Sequence, residues 1–136
     1  MGPLLVLKVN GSADFGKRVT STVSRNGDLI WRVYLQVDIP AVTQSAGGFA
    51  WTHNLGNVMV KNVEVEIGGQ RIDRQYGDWM HIWNELTIDQ GKVVGYDNMI
   101  GNTSDLTTGF DTGVGLSASL PAKTLYVPLF FWFCRV

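Results

Sequence analysis

A chain of 136 residues, 45% hydrophobic and 17% charged, is long enough to bury a core and too apolar for a disordered tail. Its net charge of -1, with no run of Lys or Arg, excludes a broad electrostatic footprint for nucleic acid. A single cysteine, Cys134, excludes an internal disulfide and a cysteine-based zinc site.

Sixteen glycines together with many Val and Thr favour a turn-rich β protein. Leu4 to Val9 reads as a short strand ended by Asn10-Gly11, and its LLVL run lacks the length and basic flank of a signal peptide. KRVTSTVSR, with Val19, Ser21 and Val23 on one face, reads as a second strand. Asn26-Gly27 is a hairpin signal, because both residues tolerate positive φ. The next segment alternates strictly: Leu29, Trp31, Val33, Leu35, Val37 and Ile39 share one face, and Arg32, Gln36 and Asp38 lie on the other. This predicts a strand with one buried face, stopped by Pro40, and it puts Trp31 in the core.

Ala41 to Gly48 reads as a loop, Phe49 to Trp51 as a short strand, and Leu55-Gly56-Asn57 as a turn. Apolar parity changes between Val58, Val60 and the set Val63, Val65, Ile67, which predicts a β-bulge near Lys61-Asn62. Glu64 and Glu66 then face solvent or a partner. Gly68-Gly69 turns the chain into a strand from Gln70 to Arg74. Asp78 is placed to cap a helix at about 78–87, whose Trp79, Ile82, Trp83 and Leu86 fall at i, i+3, i+4 and i+7. So short a helix needs packing to persist, and the expectation is that this stripe plugs a sheet.

Ile88 to Leu120 reads as a long Gly-, Thr- and Ser-rich excursion with one short element near Val93 to Ile100. Lys123 to Arg135 reads as a final strand with apolar residues in both parities, so both faces should be covered, and Pro128 marks an edge or bulge. Its apolar run, Leu125 to Cys134, is about half the length needed to span a bilayer. No membrane insertion is expected.

Chemistry finds little support in these residue patterns. His53 and His81 stand 28 positions apart, without a second histidine at ligand spacing, so no metal site is expected. Asp73, Asp78, Glu85, Asp89 and His81 supply carboxylates and an imidazole, yet no spacing brings two of them to one cleft. Neither Gly68-Gly69 nor Gly113-x-Gly115 has phosphate-loop spacing, so no cofactor is expected. Asn10-Gly11-Ser12 and Asn102-Thr103-Ser104 fit the N-glycosylation tripeptide. Exposed aromatics such as Trp51 or Tyr96 would suit an alternative reading, a carbohydrate-binding module.

Three segments, in this order, resemble the major capsid protein of the nucleocytoplasmic large DNA viruses. They are SRNGDLIWRVYLQVDIP (Ser24 to Pro40), VEVEIGGQRIDRQYGDWMHIWNELT (Val63 to Thr87) and LYVPLFFWFCR (Leu125 to Arg135), and VVGYDNMIGN (Val93 to Asn102) is also similar. The resemblance covers most of the chain from about Ala13 onward. It implies an all-β fold, an antiparallel β-sandwich of jelly-roll type, with residues 1–136 forming one partial domain. It also implies a structural, non-enzymatic virion protein without catalytic residues. Such a protein self-associates as homotrimeric capsomers of an icosahedral shell, with minor capsid proteins as further partners, and is found in the virion and in host cytoplasm during assembly.

The chain departs from the family pattern in three ways. It holds only the first of two rolls, and it begins with MGPLLVLKVN instead of the longer family lead. It also stops at Arg135-Val136, ahead of a Gly-Leu-Ala-Leu-Pro continuation and last strand. An incomplete roll is therefore expected.

Overall fold

The computed structural model describes residues 4–44, 47–108 and 118–134. The chain divides into two compact units, Met1–Trp31 and Arg32–Val136.

In the first unit the two expected strands do not form. One isolated antiparallel bridge links Asn10 to Thr20, and the Asn10 N–H donates to the Thr20 carbonyl at 2.5 Å. The Ser21 hydroxyl adds a bond to the Lys8 carbonyl at 3.1 Å. Gly11 and Gly16 adopt positive φ between the bridged residues. Among the described residues of this unit only Val19 is even half-buried. The Asn26-Gly27 signal marks a bend that no strand enters. Trp31 is 54% exposed, which corrects its expected place in the core.

The second unit carries the regular structure. Strand β1 (Val33–Ile39) pairs antiparallel with β6 (Lys123–Leu129), from Val33 opposite Leu129 to Ile39 opposite Lys123. The alternation expected for β1 holds over these seven residues: Val33, Leu35, Val37 and Ile39 point inward, and Tyr34, Gln36 and Asp38 are exposed. The strand begins at Val33 instead of Leu29 because its partner ends at Leu129, so residues upstream have no ladder to join. Asp38 accepts a hydrogen bond from the Thr124 hydroxyl at 2.7 Å, tying the wet face of the pair.

Strand β6 is covered on one face, not on both. Leu125, Val127 and Leu129 are buried while Thr124 and Tyr126 are exposed. The remaining aromatics leave the strand: Phe131 is buried and Trp132–Cys134 form a short 3-10 turn. There Phe133 stacks on Phe131 at 5.6 Å and meets Trp132 edge-on at 4.9 Å.

Strand β2 (Val42–Gln44), inside the expected loop, pairs with β5 (Ala118–Leu120). A short helix α1 (Leu55–Val58) replaces the expected turn, and Asn54 before it adopts φ 53°. Strands β3 (Asn62–Ile67) and β4 (Gln70–Tyr76) form a hairpin through Gly68-Gly69, both at positive φ as that turn requires. The bulge lies elsewhere than expected. Val65 pairs with Asp73 but Glu66 pairs with Arg71, leaving Ile72 as the extra residue on β4. The parity change before Val63 is absorbed ahead of the strand, because Val58 belongs to α1 and β3 starts only at Asn62.

Helix α2 (Gly77–Thr87) matches the expected position. It is not the sole helix: a 3-10 turn (Gln90–Lys92), α3 (Val93–Ile100) and α4 (Ser104–Thr107) order much of the expected excursion. The part of that excursion at residues 109–117 lies outside the described residues. Two apolar clusters result. Met80, Val127, Leu129 and Phe131 form one, with Val63 and Val65 of β3 against it; Ile39, Leu55 and Leu125 form the other.

Candidate assembly surface

Helix α2 grows directly out of β4, so the end of the strand fixes its rotational phase. Tyr76 is the extended N-cap residue and Gly77 is buried. A Cβ on Gly77 would fall on the Asn57 and Val60 carbonyl oxygens of the α1 turn, far inside contact distance. Glycine therefore lets the helix start against backbone. The inward side is then Gly77, Met80 and Asn84, all buried. Asp78, expected as the cap, sits instead in the first turn behind the N-cap residue Tyr76, where its charge favours the positive helix end.

The apolar stripe consequently faces away from the core, which overturns the expectation that it plugs the sheet. Trp79 is 37%, Ile82 52% and Leu86 76% exposed. Trp83 is half-buried, and its ring centroid lies 5.5 Å from that of Trp79. Ile67 is also exposed, although it shares the apolar parity of Val63 and Val65, which pack on the core. One signal could have pointed to this orientation: Gly77, Met80 and Asn84 recur at i, i+3 and i+7, and a glycine in a first turn implies a close backbone approach. This leaves an outward row of large apolar side chains exposed on the helix.

The candidate chemical residues are spread over separate surroundings. Exposed His53 lies 3.2 Å from the Asn102 carboxamide oxygen through Nδ1. His81 is half-buried, and its Nδ1 has no hydrogen-bond partner. Asp89 pairs with Lys92 at 3.0 Å, and Glu85 is exposed on α2. Asp73 is half-buried on β4. Glu64 is held by Arg74, with Arg71 at 3.7 Å, so it is an ion-pair partner across the hairpin. Glu66 is exposed. Among the described residues no three His, Cys, Asp or Glu side chains are grouped to hold a metal.

The two aromatics weighed for sugar binding have other work. Trp51 packs against the Ile39, Leu55 and Leu125 cluster. The Tyr96 hydroxyl accepts a hydrogen bond from Asn57 at 3.0 Å, and burial pushes its pKa up. Tyr96 also lines an open groove of about 690 Å³, together with Tyr34, Trp83, Asn84, Met99 and Phe130. Of the two glycosylation tripeptides, Asn102 is engaged: its amide donates to Asp97 at 3.1 Å. Asn10 is exposed.

An antiparallel-strand fold with an outward apolar helix face fits a structural role. In agreement, residues 5–136 match the family model described as major capsid protein N-terminus, and the chain belongs to that family. It is 50% identical over 146 residues to the major capsid protein of Phaeocystis pouchetii virus, an alignment covering 93% of this chain and 28% of that protein. The major capsid protein of Pyramimonas orientalis virus is 48% identical, with 93% of this chain and 30% of the relative covered. Among solved structures, PBCV-1 VP54, fitted into a reconstruction of the virophage Sputnik, superposes with a TM-score of 0.68 at 32% identity. That match covers 96% of this chain and 28% of the other. The chain thus spans less than a third of the length of these relatives.

Proposed function

We propose that this chain is a structural element of a virion: the N-terminal portion of a capsid subunit that self-associates into a shell. The observation that carries the reading is the family match over residues 5–136. The outward stripe of Trp79, Ile82 and Leu86 supports it independently, since apolar side chains of that size on a helix call for a neighbour. In its finer form, the reading makes residues 1–136 part of one antiparallel jelly-roll sandwich. Its subunits join as homotrimeric capsomers, with minor capsid proteins as further partners, and assembly takes place in host cytoplasm. No catalytic residue and no cofactor belong to this role.

Sedimentation velocity of the purified chain over a wide concentration range tests the reading. Reversible oligomers growing with concentration, seen as discrete capsomer-like particles by electron microscopy, are the expected outcome. A chain that remains monomeric up to the highest concentration reached would count against self-association.

A further inference from the structure

Charge is divided unevenly along this chain. Residues 1–31 contain four basic side chains (Lys8, Lys17, Arg18, Arg25) against two acidic ones (Asp14, Asp28), a balance of +2. The remaining 105 residues hold the other seven basic and ten acidic side chains, a balance of -3. Much of that negative charge lies on and just beyond α2, where Asp78, Glu85 and Asp89 occur within residues 77–89 and Lys and Arg are absent. Asp89 is answered by Lys92, while Asp78 and Glu85 are exposed and flank the stripe of Trp79, Ile82 and Leu86 on the helix.

The N-terminal unit has the complementary character. Leu4, Val6, Phe15, Leu29 and Ile30 are exposed, interspersed with basic residues, and one bridge is the regular pairing among its described residues. That much exposed apolar surface, beside basic side chains, is available to a partner of opposite charge.

We propose that the basic, apolar segment of residues 4–31 of one copy docks on the acidic, apolar face of α2 of a second copy. This deepens the self-association reading and rests on it. Apolar contact supplies the attraction, and the opposite charges select the partner and the orientation. The two surfaces differ, so the contact is heterologous: each copy offers one of each, and successive copies can close into a ring.

The test uses the full chain and two charge variants, Ile82→Lys with Glu85→Lys on α2, and Lys17→Glu with Arg25→Glu on the segment. All four positions are exposed, so far-UV circular dichroism and urea midpoints should match wild type. Sedimentation velocity should show wild-type association that weakens as salt rises, and each variant alone weakened at least about tenfold. Mixing the two variants should restore association, because the intact segment of one meets the intact helix face of the other. In a mixture of isotopically light and heavy wild type, carbodiimide cross-links from Lys8 or Lys17 to Asp78 or Glu85 should join light to heavy chains.

Association of both variants at wild-type strength overturns the docking while leaving self-association standing. Cross-links confined to single chains overturn the exchange between copies. A wild-type chain that never associates removes the underlying reading as well.

Discussion

The orientation of α2 makes a sharp stability prediction, because Met80 and Leu86 sit on one helix with opposite surroundings. Met80 is fully buried among Val127, Leu129 and Phe131. Met80→Ala removes that packing and leaves a cavity, at a cost of about 2–5 kcal/mol. Leu86 is 76% exposed, so only about a quarter of the roughly 1.5–3 kcal/mol for a fully buried leucine is at stake. Leu86→Ala should therefore cost about 0.5 kcal/mol, partly offset because alanine is the better helix former. Urea unfolding followed by circular dichroism, at concentrations where the chain is monomeric, separates the two if their m-values agree. Equal losses for the two variants, or a larger loss for Leu86→Ala, would refute the outward orientation.

Three further outcomes follow from individual contacts. Gly77→Ala places a methyl group on the Asn57 and Val60 carbonyls, and should cost about 1–3 kcal/mol or more in urea unfolding despite the better helix propensity of alanine. Asp105 is held below the ordinary carboxylate range by the Thr103 hydroxyl first and then by Lys123. Its contribution is complete above the unfolded value of about 4 and fades as pH falls through the lower folded value, so Asp105→Asn should lose that contribution at neutral pH, match wild type at the acid end and flatten the acid limb of stability against pH. Burial pushes the Cys134 thiol up, so at neutral pH iodoacetamide should label it more slowly in the folded chain than in urea. Equal rates in the two states would mean that Cys134 is open to solvent.

What the sequence made legible was local. The alternation of Val33, Leu35, Val37 and Ile39, the Gly68-Gly69 turn and the extent of α2 each follow from periodicity or backbone preference within a few residues. What it hid was long-range. Leu29 and Trp31 continue the β1 pattern perfectly, and only the end of β6 at Leu129 decides that they lie outside the ladder. The parity change before Val63 was visible, but its source was the start of β3 after α1, while the bulge at Ile72 on the other strand left no mark in it. In the C-terminal run, both parities looked equally apolar, and the turn after Leu129 rather than the pattern decides which aromatics are buried. The outward face of α2 was unreadable for a related reason. A stripe reveals amphipathicity, but its direction is set by the phase inherited from β4 and by the backbone seat at Gly77.

An outward stripe also limits how strong any one contact through it can be. Covering the exposed parts of Ile82 and Leu86 would contribute about 2–4 kcal/mol. Bringing two chains together costs at least about 4 kcal/mol in lost translation and rotation alone. Those two residues alone would therefore leave the chains apart, and association has to recruit further surface, such as the charged and apolar residues of the N-terminal unit. In the shell proposed above, that balance has a use. Contacts that hold only in combination let a misplaced subunit leave before its neighbours lock it in, whereas a single strong contact would trap the error. The modest apolar area on α2, unsuited to a tight pair of chains, suits a subunit whose stability in place comes from having several neighbours at once.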